Sequence, residues 1–237
     1  MSNENICEKS PNSYWNEFKF QWEHSWFHKQ MEIKDDIQKY VWTQMNIFFS
    51  GALLIHQITC IDGNGNIIKY EKLHTELIFR QISIPILRLL LESYFRVIYI
   101  CSCKDIKIQS ERFKKILSTT ANEYNKFIKV LNEYPKYFNK LIDGLPPCAK
   151  SSGKSITIKN LLKDISSSEE NNLSFLYGFY RLTSFYVHGN IDIVTWKVIF
   201  GKDAISYTLP LDIFGVISII SKFYIYIACL LWCPMSK

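Results

Sequence analysis

Apolar residues recur at three- and four-residue intervals along most of the chain, and this spacing predicts amphipathic helices. The predicted helices span residues 14–31, 33–61, 71–99, 107–134, 166–188 and 211–231. Pro85 lies inside the third of them and is expected to bend or split it, because proline has no amide hydrogen. Gly189 is suited to end the helix that His188 closes.

The segments between these helices carry turn residues or weak patterns. Residues 135–168 have the least regular pattern, apart from a short amphipathic piece around Leu161. Residues 195–209 alternate and are rich in β-branched side chains, which favours a small β-hairpin. The whole pattern predicts an all-α fold, an antiparallel helical bundle, in one domain over 1–237 with an aromatic-rich helical extension over about 1–32.

Composition narrows the class of protein only slightly. The hydrophobic fraction is 48%, ordinary for a globular protein, and the formal charge is +6. This charge fits a nucleic-acid partner, but many Ile, Lys and Asn residues also suggest an AT-rich genome that raises the lysine count without a functional cause. The seven cysteines have no zinc-type spacing, and the polar start carries no secretory signal. A cytoplasmic protein without a metal or other cofactor is therefore expected.

The last predicted helix raises the question of a membrane. Residues 213–233 are apolar over about the length of a membrane span. However, Lys222 lies near their middle, and smaller or more polar residues recur there every three or four positions. This periodicity favours a buried bundle helix, so we do not expect the protein to associate with a membrane.

A polar stripe on the helix that ends at His188 is the main candidate site. Arg181 and His188 are seven positions apart, almost two turns, so their side chains project from the same face. Tyr177 and Ser184 fall on that stripe too, at spacings of three or four residues. A cation can hold a phosphate, and an imidazole titrates near neutral pH and can move a proton. A histidine satisfied within the core is the alternative interpretation.

A second polar set lies on an earlier helix. Arg88, Glu92 and Arg96 follow one another at four-residue steps among apolar residues. They form either an ion-pair ladder on the solvent side or an inward face on which Glu92 orients an arginine or the histidine of the other helix.

Two further patterns are weaker candidates. Residues 148–155 end in Gly-Lys-Ser like a phosphate loop, but Cys148 replaces the first glycine and no apolar strand precedes it, so a surface loop is expected. His24, His28 and Glu32 have the spacing of metal ligands on a helix, yet the segment is dense in aromatic residues and is expected to pack or face solvent.

The two polar helices together resemble the HEPN superfamily, helical domains of prokaryotic defence and toxin systems whose signature is Arg, four to six residues, then His. More narrowly, Arg88-Leu89-Leu90-Leu91-Glu92 followed by Tyr180-Arg181…Ser184…His188-Gly189 resembles an uncharacterised bacterial HEPN-like family. The similarity covers about residues 40–230. Leu182 stands where many active members have a small polar residue, and Asn190 stands where some toxins carry a tyrosine that a partner nucleotidyltransferase modifies.

The resemblance implies a metal-independent endoribonuclease, often with a site shared across a homodimer. Arg181 would bind the scissile phosphate, and His188 would act as general base or general acid. Glu92 and Ser184 would orient these groups and Arg88 would be a second phosphate contact, with Tyr177 and Asn190 as neighbouring supporting residues. The implied partners are RNA, a second copy of the chain, and an antitoxin or other defence-system protein.

Two alternatives remain from the sequence. Some superfamily members have lost nuclease activity, so the same polar face could serve a non-catalytic module that binds a nucleotide or a partner protein. A third interpretation is a membrane-associated sensor anchored by residues 213–233.

Overall fold

A computed structural model describes residues 13–26, 33–58, 82–149, 153–165, 173–189 and 213–232. Within these residues all regular secondary structure is helical. The helices are α1 Ser13–Phe20, which continues into a π-helical segment Gln21–Trp26, α2 Asp36–Ile58, α3 Ile84–Cys101, α4 Ile106–Glu133, α5 Pro135–Asp143, α6 Ile158–Ile165, α7 Leu173–Gly189 and α8 Ile213–Trp232. The prediction of an all-α helical bundle is confirmed, while the hairpin predicted over 195–209 lies outside the described residues.

Two prolines lie at or next to the first residue of an α-helix. Pro85 is the second residue of α3, which directly follows the π-helical residues 82–83. Pro135 occupies the first position of α5, so the expectation that the irregular pattern begins there was wrong. Asp105 caps α4 by accepting a hydrogen bond of 2.8 Å from the amide of Lys107, which fixes the start of that helix one residue before its predicted position.

The described residues form two compact units, one within 1–94 and 170–237 and one within 95–169. α3 contributes its residues up to Tyr94 to the first unit and those from Phe95 to the second. A single-domain organisation stays a prediction.

Helices α1, α2 and α8 build the aromatic core of the first unit. Phe48 of α2 lies between Phe18 of α1, at 5.3 Å between ring centroids, and Tyr224 of α8, at 5.0 Å. Near the two ends of α2, Gln38 donates to the carbonyl of Leu231 and the ring of His56 contacts that of Phe214. Early residues of α2 therefore meet late residues of α8, and the two helices run antiparallel.

α3 also packs antiparallel to α2. Ser93 donates a hydrogen bond of 2.7 Å to Gln44, and Gly51 faces Leu90 so closely that a Cβ atom there would lie 2.8 Å from the Leu90 Cδ2. The absence of a side chain at Gly51 thus allows α2 and α3 to approach each other. This contact holds the α3 segment that carries Arg88 and Glu92.

Among the described residues, α8 is one helix that is long and apolar enough to cross a membrane by length and composition, and half of its most apolar stretch is buried inside the protein. The ammonium of Lys222 lies 5.3 Å from the centroid of the Tyr14 ring of α1, a cation–π contact that accommodates the charge on this apolar helix. The packing of α8 on α1, α2 and α3 favours the bundle interpretation of this helix.

In the second unit, Arg112 ties the ends of two helices together. Its guanidinium donates to the carbonyl of Tyr99 at 2.8 Å, to the hydroxyl of Ser102 at 2.9 Å and to the carbonyl of Asp164 at 3.1 Å. Carbonyls near helix C-termini lack intrahelical partners and favour a cation. The guanidinium also lies 4.9 Å from the Tyr99 ring centroid, so Arg112 fixes α6 against the end of α3.

Candidate functional site

Helix α7 has a buried side and an exposed side, and the candidate stripe lies between them. Leu176 and Thr183 are fully buried, whereas Gly178, Arg181 and Phe185 are exposed. A Cβ atom at Gly178 would meet nothing within 4 Å, so the helix surface beside Arg181 is open. The exposed guanidinium of Arg181 is therefore accessible to a ligand.

Arg181 and His188 lie in one uninterrupted α-helix, Leu173–Gly189. Seven residues of α-helix fall only about 20° short of two full turns, so positions 181 and 188 share a face about 10 Å apart along the axis. The side chain of His188 lies outside the described part of the structure, as does Asn190. The backbone therefore places the two positions on one face of the helix, as the spacing predicted.

α3 brings a second guanidinium to this face. Arg88 donates a hydrogen bond of 3.1 Å from Nε to the hydroxyl oxygen of Ser184. Ser184 in turn donates to the carbonyl of Tyr180 at 2.7 Å, which fixes the direction of its hydroxyl. Arg88 therefore contacts α7 at a position three residues from Arg181 and four from His188.

Aromatic rings line the same contact. The Arg88 guanidinium carbon lies 5.7 Å from the centroid of the Tyr180 ring, within cation–π range. Tyr180 is stacked on Tyr177 at 6.1 Å between centroids, with an angle of 23° between the ring planes. Tyr177 is half-buried and supports the ring that Arg88 rests on.

Glu92 is half-buried on α3, one turn beyond Arg88. Of the two interpretations of this charged helix, the inward one describes Arg88, because its contacts are with α7. The described site therefore combines Arg88, Ser184, Tyr177 and the exposed Arg181, all in the first unit. Two guanidinium groups on adjacent helices can together hold a phosphate, since each offers several donors to its oxygens.

The weaker candidates have structural explanations. His24 lies 3.1 Å from the carbonyl oxygen of Phe20 through Nδ1, and its ring stacks on that of Phe20 at 4.5 Å. His28 and Glu32 lie outside the described residues. Within the residues that the structure describes, no three His, Cys, Asp or Glu side chains are grouped as metal ligands.

The loop that ends in Gly-Lys-Ser lies along α4 as an exposed strap. Asn125 makes two hydrogen bonds with the backbone of Ala149, at 2.8 and 2.9 Å, and Asn122 donates to the carbonyl of Gly153 at 2.8 Å. Tyr124 donates to the carbonyl of Pro146, and the amide of Ile156 donates to Thr119. The described part of this loop uses its backbone groups to bind α4, in contrast to a phosphate loop, which turns them towards a ligand.

A comparison with protein families gives one match. Residues 79–199, just over half of the chain, match a family of unknown function, DUF5677. The chain belongs to this family. The DUF5677 region includes every candidate residue of the site, from Arg88 and Glu92 to His188 and Asn190. Neither the comparison with curated proteins nor that with solved structures finds a match.

Two features of this DUF5677 site were not predicted. The ring of Tyr180 lies beneath Arg88. Tyr180 opens the Tyr-Arg…Ser…His-Gly motif, and its position four residues before Ser184 could have indicated this contact. Phe185 is 49% exposed one turn after Arg181, although its apolar character predicts burial. Phe185 therefore presents an apolar ring beside the exposed Arg181.

Proposed function

We propose that this DUF5677 protein is a HEPN-like endoribonuclease of a toxin or anti-phage defence system. The observation that supports the proposal most is the contact of Arg88 with Ser184, because it brings a second guanidinium to the α7 stripe between positions 181 and 188. Two cations beside a histidine position match the requirements of phosphodiester cleavage. The fold and the order of the two motifs agree with the resemblance.

In the proposed mechanism the histidine and the arginines have separate tasks. His188 removes the proton from the ribose 2′-hydroxyl or donates one to the leaving 5′-oxygen. Arg181 binds the scissile phosphate and stabilises the negative charge that develops on its oxygens, with Arg88 as the second contact. The 2′-oxygen attacks phosphorus and the bond to the 5′-oxygen breaks, which gives a 2′,3′-cyclic phosphate and a 5′-hydroxyl. Cleavage is therefore confined to RNA.

We also propose that the exposed side of α7 receives a second copy of the chain. Gly178 leaves room for a close approach, and Phe185 presents an apolar ring one turn from Arg181. An isologous dimer across this face would place two copies of the stripe next to each other. An antitoxin or other defence protein is the further proposed partner.

The test is cleavage of RNA in EDTA by the purified protein. Wild type is compared with Arg181→Ala and His188→Ala, and the matched controls are Lys39→Ala on α2 and His24→Ala, since both residues are exposed and distant in sequence from the site. The proposal predicts cleavage by wild type and both controls, and loss of at least a hundredfold in both site variants. Equal RNA degradation by all five proteins would show a contaminating nuclease and contradict it.

A non-catalytic module is the second candidate function. The exposed Phe185 beside Arg181 favours it, because a cation with an aromatic neighbour suits a nucleotide or a protein surface as well as a scissile phosphate. Binding of RNA or nucleotide without any cleavage, abolished by Arg181→Ala, would support this function over the nuclease.

A further inference from the structure

The positive charge of the protein is concentrated in one of its two units. Residues 95–169 contain fourteen Lys and Arg against seven Asp and Glu, a net charge of +7, whereas the remaining 162 residues contain fourteen against fifteen. Acidic residues are equally frequent in both parts. An AT-rich genome would raise the lysine content of the whole chain. It therefore does not explain why basic residues are twice as frequent in one unit as in the other.

Helix α4 arranges its share of this charge on one side. Its five lysines are all exposed, and at 100° per residue they fall within about one third of the helix circumference. We call this set the lysine face; it consists of Lys107, Lys114, Lys115, Lys126 and Lys129. From its first to its last member the face extends about 33 Å along the axis.

Acidic side chains offset this face only in part. α4 contains three glutamates. Glu111 and Glu133 lie within the same third of the circumference as the lysines. Glu123 forms an ion pair with Lys126 at 2.8 Å, with both side chains mostly exposed. An exposed pair of this kind contributes little to stability and is easily exchanged for another anion. Lys126 is therefore available to a polyanion.

Two exposed aromatic rings lie near the C-terminal end of the same helix. Phe127 is 46% exposed and Tyr134, at the end of the same helix, is 55% exposed. Proteins that bind single-stranded nucleic acids combine a basic track for the backbone with aromatic rings on which bases stack. The C-terminal half of α4 carries both elements, with Phe127 about 100° around the helix axis from Lys126 and about 160° from Lys129.

We propose that the lysine face of α4 is a docking surface for single-stranded RNA. The inference shares with the proposed nuclease function the assumption that RNA is the partner, and it assigns RNA binding to residues distinct from Arg181 and His188. Lysine ammonium groups hold the phosphates without reading the bases. Binding at this face is consequently tolerant of sequence and strongly dependent on salt.

An anionic membrane is the other polyanion that such a surface could meet, and the pattern of α4 disfavours it. A helix that lies in a membrane interface needs its exposed apolar residues on one side. The side of α4 opposite the lysine face carries the buried Ile116, Ile128 and Leu131, so the apolar side of this helix packs within the protein and is not free to enter a membrane. The lysines lie on the remaining side, which fits a strand of RNA.

The test is binding of a labelled oligouridylate, measured by fluorescence polarisation in EDTA over a series of salt concentrations. All proteins carry Arg181→Ala, so that the probe is not cleaved. Lys126→Gln/Lys129→Gln is compared with Lys34→Gln/Lys39→Gln, two exposed lysines of the other unit. The lysine-face variant is expected to bind roughly tenfold more weakly and to reduce the slope of log affinity against log salt by about 1.4.

Each outcome decides for or against the surface. Weakened binding by Lys126→Gln/Lys129→Gln alone supports it, even if the wild-type protein cleaves nothing and the proposed function fails. Equal affinity of the two double variants overturns it, even if wild-type cleavage through Arg181 is established. Adsorption to phosphatidylserine vesicles without RNA binding overturns it as well and assigns the face to a membrane.

Discussion

Ser184 is the residue on which the candidate site depends for its geometry. Its hydroxyl is directed by the carbonyl of Tyr180 and accepts the Nε hydrogen of Arg88, so it links α7 to a charge on α3. A guanidinium held at one nitrogen keeps its remaining donors for a phosphate. We therefore interpret Ser184 as a positioning residue.

Substitution of Ser184 tests this role. Ser184→Ala is expected to lower RNA cleavage roughly tenfold, because Arg88 is no longer held beside the stripe. The lost hydrogen bond to a charged donor costs about 1.5–3 kcal/mol of unfolding free energy. Ser184→Thr, which keeps the hydroxyl, should retain most activity, and Ser174→Ala on the exposed side of the same helix is the control. Wild-type cleavage by Ser184→Ala would contradict the role.

Residue spacing predicted part of this site, and the rest depends on long-range contacts. The register of Tyr177, Arg181, Ser184 and His188 follows from helical periodicity alone. The partner of Ser184 lies 96 residues away, and its contact depends on how α3 packs on its neighbours. From the sequence alone, Arg88 could face either the bundle interior or the solvent, and nothing in the sequence decided between the two.

Two helical glycines of the first unit have opposite surroundings, one closely packed and one open. A Cβ atom at Gly51 would lie 2.8 Å from one Leu90 methyl and 3.2 Å from the Ile86 Cγ2, whereas Gly178 has open space around it. Glycine inside a helix costs about 0.5–1 kcal/mol relative to alanine. At Gly51 the close packing of α2 on α3 offsets this cost, and at Gly178 no described contact does.

The two positions should therefore respond differently to a side chain. Gly178→Ala is expected to raise the unfolding free energy by about 0.5–1 kcal/mol. Gly51→Val is expected to lower it by about 1–3 kcal/mol, because the added methyl groups must displace the buried Leu90. Thermal and denaturant unfolding of both variants measure the effect. A stabilised Gly51→Val would show that α2 and α3 do not approach as described.

His56 connects three helices and makes their packing sensitive to pH. Its ring stacks on Trp15 of α1 at 5.1 Å between centroids and contacts Phe214 of α8 at 4.8 Å. Burial, together with the nearby positive charge of Lys19, lowers the pKa of His56 below its ordinary value. The unfolded chain therefore binds this proton more readily than the folded one, so stability falls as the pH drops below about 6.5.

Replacement of His56 by phenylalanine should weaken this dependence. His56→Phe keeps an aromatic ring between Trp15 and Phe214 but does not titrate, so the fall in the thermal midpoint from about pH 7.5 to about pH 5.5 should shrink. The exposed His24 provides the matched variant, His24→Gln, which is expected to retain the wild-type change. An undiminished fall in His56→Phe would exclude His56 as its source.

Helices were more predictable than the segments that join them. The helical periodicity of α4 and the proline after it gave its limits nearly correctly, 107–134 against Ile106–Glu133. The irregular pattern after Pro135 concealed α5, since proline both ends and begins helices. The strap along α4 could not be predicted, because it depends on Asn122 and Asn125 reaching backbone groups more than twenty residues away.

At the scale of the whole molecule, charge and candidate chemistry lie in different units. The candidate site belongs to the first unit, whose chain segments 1–94 and 170–237 have a net charge close to zero. The lysine face belongs to the second unit, which is strongly basic. Total composition concealed this difference, because a charge of +6 on 237 residues is unremarkable. The DUF5677 region spans residues from both units.

The most direct test of the nuclease proposal uses an oligonucleotide with a single ribose in an otherwise deoxyribose strand, incubated with the protein in EDTA. We predict a cut at that ribose alone, products with a 2′,3′-cyclic phosphate and a 5′-hydroxyl by mass spectrometry, and no cut by Arg181→Ala or His188→Ala. Products with a 5′-phosphate, cleavage of the all-deoxyribose strand, or full activity in either variant would contradict the proposal.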